Sequence, residues 1–113
     1  MEVFLFMNYH ELTKLQFEEI MGNLTDLPVW LEVRTDTVSK YTFYENFEFL
    51  SFVNGKYQFG FLNYNEEKEY ENLLINQSDI LCIHRNPFAP SMNAEQICVV
   101  MVDFTEIFVE YNY

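Results

Sequence analysis

The spacing of apolar residues near the amino terminus predicts a short strand followed by a helix. Residues 3–6 are all apolar, as in a buried strand, and Asn8 followed three residues later by Glu11 resembles the capping box that begins a helix. Apolar side chains then recur at helical intervals, at Phe17, Ile20, Met21 and Leu24. We therefore expect a helix whose apolar stripe packs against the rest of the fold.

From residue 29 onward the pattern changes to a period of two, which is typical of half-buried strands. In the first such segment, residues 29–34, Trp30, Glu32 and Arg34 alternate with Val29, Leu31 and Val33. A turn at residues 36–37 leads to a second predicted strand over about 38–44. Apolar runs predict further strands at 79–85 and 96–102, and the alternating residues 105–111 form either a separate strand or a continuation of the previous one.

The dipeptide Asn54-Gly55 predicts a β-hairpin between residues 47–53 and 56–62. Asn and Gly accept the positive φ values of a two-residue type I′ turn, and such a turn fixes the register of the two strands. This register places on the core side the facing pairs Phe52 and Tyr57, Leu50 and Phe59, and Glu48 and Phe61. It also places Phe49 opposite Gly60, where an aromatic ring could cover the glycine backbone.

Residues 63–76 break the strand pattern and predict a short helix. Asn65 can cap it, and Tyr70, Leu73 and Leu74 would share one of its faces. Two prolines predict an open loop at 86–91. Together these elements predict an α+β fold over residues 1–113: a single domain with a mainly antiparallel β-sheet of about five to seven strands and one or two helices packed on one face.

The charge of the chain narrows its possible partners. Eighteen acidic residues against six basic ones give a formal charge of −12, although half of the 113 residues are apolar. Such a chain has enough apolar material to fold, so its charge must spread over a compact surface. Phosphate groups and anionic lipids would be repelled, which disfavours direct binding to nucleic acid or to a membrane. We expect the partner to be a basic protein.

The amino terminus lacks the basic region of a secretion signal, and its apolar run is too short to cross a membrane. Cys82 and Cys98 both lie in apolar runs, where a reduced cysteine behaves as a small hydrophobic residue; a disulfide between neighbouring strands is the alternative. These features favour a cytoplasmic protein.

The sequence offers little for catalysis or metal binding. On a strand, Cys82 and His84 would point to the same side, but a zinc site needs two more ligands, and only Cys98 and His10 remain to supply them. A packed cysteine beside a half-exposed histidine is the simpler interpretation. No nucleophile elbow, phosphate-binding glycine loop or paired-histidine motif occurs. The prediction is a protein with no enzymatic activity, no cofactor and no metal.

One segment combines carboxylates with aromatic rings, which suits recognition of lysine and arginine. Its acidic members are Glu66, Glu67, Glu69 and Glu71, and its tyrosines are Tyr64 and Tyr70. The plain interpretation is a solvated helix face, and the alternative is a binding patch for a basic cleft, extended by Glu45 or Asp79. A divalent metal ranks lower, because the segment lacks the oxygen spacing and central glycine of a calcium loop.

The resulting hypothesis is a non-enzymatic inhibitor that blocks the basic nucleic-acid-binding surface of a nuclease or defence effector, with carboxylates in place of phosphates. It could be a phage anti-defence protein or the immunity protein of a nuclease toxin. A rival hypothesis is a cytoplasmic interaction or adaptor domain that binds through a sheet edge or through an apolar patch around Phe88 and Met92. A third is an enzyme with two carboxylates converging in a pocket. The distribution of carboxylates over the fold separates these hypotheses.

Overall fold

Two antiparallel sheets and one α-helix make up the part of the chain that the computed structural model describes, residues 10–64, 70–87 and 94–112. The helix is α1 (Lys14–Asn23), and the strands are β1 (His10–Glu11), β2 (Val29–Arg34), β3 (Ser39–Tyr44), β4 (Asn46–Phe52), β5 (Lys56–Leu62), β6 (Tyr70–Asn76), β7 (Ile80–Pro87), β8 (Ala94–Met101) and β9 (Glu106–Asn112). The larger sheet has the order β1-β7-β8-β9-β2-β3, and the smaller has the order β4-β5-β6. The predicted α+β class with antiparallel strands is confirmed, but the described strands exceed five to seven and form two sheets.

The apolar core contains residues of the helix and of both sheets. Its largest fully buried side chains are Phe17, Met21, Val29, Phe47, Tyr57, Phe59, Phe61, Ile97, Val99 and Val109. The ring of Phe17 in α1 has its centroid 5.4 Å from that of Tyr57 and 5.7 Å from that of Phe49, in an edge-to-face contact with the latter. Burial of these apolar and aromatic side chains is the dominant favourable term in folding.

The predicted helix is present with its apolar stripe buried, but it begins later than expected. Thr13 is the N-cap: its hydroxyl accepts from the backbone N–H of Gln16, and the Gln16 side chain accepts from the backbone N–H of Thr13. This reciprocal capping box fixes the start at Lys14. Glu11, the predicted partner of Asn8, lies in β1 and pairs with His84. Asn8 and the strand predicted at 3–6 lie outside the described residues.

The predicted β4–β5 hairpin is confirmed, but its register is shifted by one residue. Gly55 has φ +83°, whereas Asn54 does not adopt the positive φ that a type I′ turn requires. The N–H of Gly55 donates to the carbonyl of Phe52 at 3.1 Å, and the last pair of the ladder is Phe52 with Lys56. The loop therefore has three residues, with the left-handed residue in its last position.

The shift exchanges the two faces of β4. Phe47 pairs with Phe61 and Phe49 with Phe59, so the core side of β4 consists of Phe47 and Phe49. Leu50 and Phe52, predicted in the core, are each 39% exposed. The residue opposite Gly60 is Glu48, so the predicted cover by Phe49 is wrong. A Cβ atom at Gly60 would instead lie 3.5 Å from the hydroxyl oxygen of Tyr70.

The helix predicted within 63–76 is wrong for its second half, where residues Tyr70–Asn76 form strand β6. This strand pairs with β5 along its whole length, from Leu62 with Tyr70 to Lys56 with Asn76. Pairing with β6 satisfies the backbone N–H and C=O groups on the side of β5 that β4 does not cover. This gain outweighs the helical preference that the spacing of the apolar residues indicates. Residues 65–69 lie outside the described part of the chain.

The carboxyl-terminal strands follow the predicted pattern. The alternating residues predicted at 105–111 form a separate strand, β9 (Glu106–Asn112), and the side chains of Ile107, Val109 and Tyr111 are buried as their alternation predicts. The prolines do not confine the predicted loop to 86–91, because Asn86 and Pro87 extend β7. Residues 88–93 lie outside the described part, and with them the predicted apolar patch.

An asparagine side chain holds the point where the chain passes from one sheet to the other. Strands β3 and β4 are separated by Glu45 alone. The Asn63 side chain, 9% exposed, accepts from the backbone N–H of Glu45 at 2.8 Å and donates to the carbonyl of Phe43 at 3.1 Å. These bonds clamp both sides of the corner, which fixes the relative placement of the two sheets.

Candidate functional site

The structure divides the residues predicted to bind a partner into three groups. Glu45, Tyr64, Tyr70 and Glu71 lie at one end of the smaller sheet, Asp79 lies beyond its other end, and Glu66, Glu67 and Glu69 lie outside the described residues. The first group is defined by register, because Asn46, Leu62 and Tyr70 form one row across β4, β5 and β6. Asp79 follows β6, whose seven residues span about 20 Å.

Within the first group, three residues face solvent and one is engaged inside the protein. Tyr64 is 58% exposed and Tyr70 59% exposed, and Glu45 is also exposed. Glu71 is half-buried, and its Oε2 accepts a hydrogen bond from the Tyr44 hydroxyl at 2.7 Å. Glu71 therefore joins β6 of the smaller sheet to β3 of the larger one.

The hydrogen bond between Tyr44 and Glu71 is one of several of its kind. In the described part of the chain, four tyrosine hydroxyls donate to glutamates at 2.6–2.8 Å: Tyr41 to Glu110, Tyr44 to Glu71, Tyr57 to Glu18 and Tyr111 to Glu95. Hydrogen bonds to charged acceptors are shorter and stronger than those between neutral groups. Part of the acidic surplus is thus used to accept hydrogen bonds from tyrosine hydroxyls, three of them on buried tyrosines and one on the exposed Tyr41.

Glu95 has the most buried of these carboxylates, at 8% exposure. The Arg85 guanidinium donates to both of its oxygens, at 2.7 and 2.9 Å, and Tyr111 donates at 2.6 Å. Burial opposes ionisation of Glu95, but the bonds from Arg85 and Tyr111 outweigh it and lower its pKa. Glu95 is therefore an ionised structural group.

Another cluster of carboxylates and aromatic rings lies on the outer side of the larger sheet, the side that faces away from the core. Cross-strand pairing places Trp30 between Phe43 and Glu110, and Glu32 between Tyr41 and Phe108. Arg34 lies in the next row, beside Glu106. We call this surface of β3, β2 and β9 the acidic–aromatic face and define it by Trp30, Glu32, Tyr41, Phe43, Glu106 and Glu110.

Hydrogen bonds and ring contacts fix the side chains of the acidic–aromatic face. Glu32 Oε2 accepts from the Ser39 hydroxyl at 2.7 Å and from the Arg34 guanidinium at 3.0 Å. The Trp30 and Phe43 rings have their centroids 4.9 Å apart. Arg34 also covers Phe108, with its guanidinium carbon 4.8 Å from the ring centroid. Such bonds reduce the entropy that these side chains would lose on binding.

The same contacts determine the ionisation of this face. The Ser39 hydroxyl, together with Arg34, lowers the pKa of Glu32 against the opposing effect of burial. Burial and the neighbouring Glu110 carboxylate raise the pKa of Tyr41 to about 12. At neutral pH, Glu32 is therefore a carboxylate and Tyr41 a neutral hydrogen-bond donor.

Cys82, His84 and Cys98 lie farther along the outer side of the larger sheet. The Cys82 Sγ and His84 Nε2 atoms are 3.2 Å apart, and Cys98 pairs with His84 across β7 and β8. Burial raises the pKa of Cys98 to about 12 and also raises that of Cys82, so both thiols are protonated at neutral pH. Within residues 10–64, 70–87 and 94–112, both cysteines are free and no group of three or more potential ligands has metal-binding geometry.

The sequence pattern placed Trp30 and Glu32 on the same side of a strand but did not assign them to a binding site. Tyr41, Phe43, Glu106 and Glu110 were missed in the same way. In β2 and β9 the period-two alternation was the available signal, since the apolar phase of each strand faces the core and the other phase faces outward. In β3 this signal fails, because the aromatic residues Tyr41 and Phe43 lie in the outward phase. What the sequence lacked was the strand order, which brings β9 beside β2.

Comparison with known proteins gives no match: no family model, no curated protein and no solved structure is significantly similar to this chain. Within the described residues, no helix is both long enough and apolar enough to cross a membrane.

Proposed function

We propose that this protein is a non-enzymatic inhibitor that binds the basic nucleic-acid-binding surface of another protein through its acidic–aromatic face. The observation that carries the proposal is the clustering of Glu32, Glu106 and Glu110 with three aromatic rings on one hydrogen-bonded sheet surface. A rigid surface of this composition suits a partner that presents lysine and arginine.

The geometry of β2 and β9 supports recognition of several cations at once. Glu32 pairs with Phe108, so Glu106 and Glu110 are its diagonal neighbours on β9. Diagonal neighbours in an antiparallel pair are about 7–8 Å apart. Glu106 and Glu110 can therefore meet basic side chains that would otherwise contact phosphates, whereas Glu32 is already paired with Arg34. Trp30, Tyr41 and Phe43 add contact area and cation–π partners.

The predicted acidic segment can extend this surface. Phe43, at the end of the acidic–aromatic face, is two residues from Glu45, whose backbone N–H donates to the side chain of Asn63, the residue before the exposed Tyr64. In the proposed complex the partner contacts the acidic–aromatic face, and the carboxylates predicted from the sequence, Glu66, Glu67 and Glu69, add to its contacts. A cytoplasmic phage protein directed against a bacterial defence nuclease, or an immunity protein of a nuclease toxin, would act in this way.

Among the carboxyl groups of the described residues, the pKa values that shift clearly are those of Glu32, Glu95 and Asp103, and all three are lowered. Ionised carboxylates are what an electrostatic binding surface requires, whereas a catalytic acid needs a raised pKa. This supports a binding function over the alternative of an acid–base enzyme.

A second candidate is an adaptor domain that binds an extended peptide at the edge of the larger sheet. β3 is an edge strand, and its Tyr41 and Phe43 are 56% and 41% exposed. An added strand would bind mainly through backbone hydrogen bonds, which depend little on salt. Salt dependence therefore discriminates the two candidates.

The test is affinity purification from host lysate with two variants of equal net charge. In the first, Glu32→Gln, Glu106→Gln and Glu110→Gln remove three charges from the acidic–aromatic face but retain hydrogen-bond acceptors. In the control, Glu19→Gln, Asp26→Asn and Glu48→Gln remove three charges elsewhere, all from exposed side chains.

The wild type and the control should capture the same basic, nucleic-acid-acting enzyme and inhibit it, while the first variant should bind it at least tenfold more weakly. Wild-type affinity should also fall steeply with salt, because the Debye length shortens to about 8 Å at physiological ionic strength. Equal binding by the two variants, or binding indifferent to salt, would overturn the proposal, and the latter would favour the adaptor.

A further inference from the structure

The smaller sheet exposes apolar side chains on the side that faces away from the core. Leu50 and Phe52 of β4 are each 39% exposed. On β6, Tyr70 is 59% exposed and Leu74 is 55% exposed. Cross-strand pairing joins Leu50 and Leu74 through Gln58 of β5 into one row, which we call the central row. Exposed apolar groups that lie side by side in this way mark interaction surfaces.

The same side of the sheet carries one carboxylate and one ammonium group. Glu48 pairs with Gly60 near one end of the sheet, and Lys56 pairs with Phe52 at the other end. We call this side of the sheet the neutral face and define it by Glu48, Leu50, Phe52, Lys56, Tyr70 and Leu74. Its described side chains have no net charge, although the chain as a whole has a formal charge of −12.

The two charged groups of the neutral face are not paired with each other in one copy of the chain. Lys56 lies four positions along β5 from Gly60, the partner of Glu48, which is a distance of about 14 Å. No ion pair joins Glu48 or Lys56 to another described residue, whereas both described arginines have a carboxylate partner. The opposite charges at the two ends are therefore available to another molecule.

A two-fold axis that runs across the strands along the central row makes the neutral face complementary to itself. Such an axis lies in the plane of contact and exchanges the two ends of the face, so Glu48 of each copy meets Lys56 of the other. It also packs Leu50 and Leu74 against the central row of the second copy. Both the charges and the apolar groups thus fit a second copy of this chain.

We propose that the neutral face binds a second copy of this chain and forms a two-fold symmetric dimer. Two chains of charge −12 repel each other over most of their surfaces, so contact is favoured where the charges balance. Each strand of the face has seven residues, so the face measures about 24 by 14 Å. Stable interfaces bury roughly 800 Å² on each partner, and a face of this size falls below that value, so the dimer is weak and reversible.

The dimer does not depend on the acidic–aromatic face, which lies on the outer side of the other sheet and stays accessible in both copies. The Glu32→Gln, Glu106→Gln, Glu110→Gln variant should dimerise at least as tightly as the wild type, because its chains repel each other less. Failure of one proposal would leave the other standing.

The test is analytical ultracentrifugation of the full chain from about 10 μM to about 1 mM, the range in which a weak dimer dissociates. The average mass should rise with concentration from that of one chain toward that of two. Leu74→Glu places carboxylates in the contact and should raise the dissociation constant at least tenfold. The matched control is Leu15→Glu on α1, which adds the same charge at a side chain that is 75% exposed and should leave the constant within about twofold.

A charge exchange tests the two-fold arrangement itself. Glu48→Lys alone and Lys56→Glu alone should each weaken self-association at least fivefold, because each brings like charges together twice. An equimolar mixture of the two variants should dimerise as the wild type does, since each lysine then meets a glutamate. A constant monomer mass over the whole range, equal constants for Leu74→Glu and Leu15→Glu, or no recovery in the mixture would overturn the proposal.

Discussion

The hairpin loops that join β4 to β5 and β8 to β9 have the same length but fill their critical position differently. Gly55 has φ +83° and Phe104 has φ +67°, and the N–H of each donates to the carbonyl three residues earlier. The N–H of Met101 donates to the carbonyl of Thr105 at 2.8 Å, so the second loop, like the first, has three residues. A left-handed backbone costs a residue with a Cβ atom about 1–2 kcal/mol. The first loop avoids this cost, whereas the second retains it together with an exposed aromatic ring. The second loop therefore keeps a strain that glycine would remove.

The two hairpins also differ in what lies beneath them. The first continues into the aromatic core, where Tyr57 and Phe59 are almost completely buried. The second ends in a loop from which both Val102 and Phe104 project into solvent. We infer that the exposed residues of the second loop contribute less to stability than the buried rings of the first hairpin.

The largest expected effect lies in the first hairpin. Phe59→Ala removes a fully buried ring that contacts Phe17, Phe47 and Phe49, and should lower the free energy of unfolding by about 3–5 kcal/mol. Chemical denaturation at neutral pH measures this change.

Phe52→Ala in the same hairpin is the matched control, since Phe52 is 39% exposed and pairs with Lys56 beside the loop. It should cost less than about 1.5 kcal/mol. Equal losses for the two variants would support the register of a type I′ turn, in which both rings face the core.

Placing a residue with a Cβ atom at position 55 and a glycine at position 104 should change the stability of the protein in opposite directions. Gly55→Ala should destabilise the protein by about 1–2 kcal/mol, because no strain exists there in the wild type. Phe104→Gly should stabilise it by about 1 kcal/mol. Thermal unfolding of the two variants beside the wild type measures both shifts.

The sign of each shift is the decisive result. Since a Cβ atom at Gly55 would have nothing within 4 Å, any loss in Gly55→Ala comes from the backbone and not from a clash. Destabilisation by Phe104→Gly would mean that the ring supports the fold, and the contrast between the two hairpins would then disappear.

A smaller difference between the two hairpins should appear in the pH dependence of stability. Burial and the Glu18 carboxylate raise the pKa of Tyr57 above its ordinary value of 10. The stability due to this group is complete below pH 10 and is lost as the pH rises, because the unfolded chain ionises first. The lowered pKa of Glu95, which bonds to Tyr111 of β9, has the opposite consequence: its contribution is complete above about pH 4.5 and is lost on acidification.

Unfolding free energies at pH 4, 7 and 10.5 for Tyr57→Phe, Glu95→Gln and the wild type measure these contributions, each about 1 kcal/mol. Tyr57→Phe should lose part of the alkaline dependence alone, and Glu95→Gln part of the acid dependence alone. Parallel pH profiles for all three proteins would show that neither hydrogen bond stabilises its hairpin as described.

Local patterns predicted the strands better than the contacts between them. The alternation in 29–34 and 105–111 identified β2 and β9 and their buried faces, since each strand buries one side independently of its neighbours. The hairpin dipeptide predicted the turn but not its length, because one left-handed residue, Gly55, suffices for a three-residue loop. The extra loop residue shifts the register by one and so exchanges the core-facing and solvent-facing sides of β4.

The helix predicted around Tyr70, Leu73 and Leu74 failed for a related reason. Apolar spacing in seven residues is compatible with either a helix or a strand, and here the free edge of β5 decided the outcome. The acidic–aromatic face was also beyond local patterns, since Glu32 and Glu110 are distant in sequence and meet only through the strand order. Its residues could be predicted as exposed but not as neighbours.

The corner held by Asn63 has a mechanical consequence. Since β3 continues into β4 through Glu45 alone and one amide side chain bonds to both flanks, we expect the two sheets to move together rather than as independent layers. We expect a displacement of Tyr41 or Phe43 on binding to be passed through Glu45 to the strand that begins at Asn46. A fluorophore attached to the outer side of β4 would therefore report events on the far sheet without touching it.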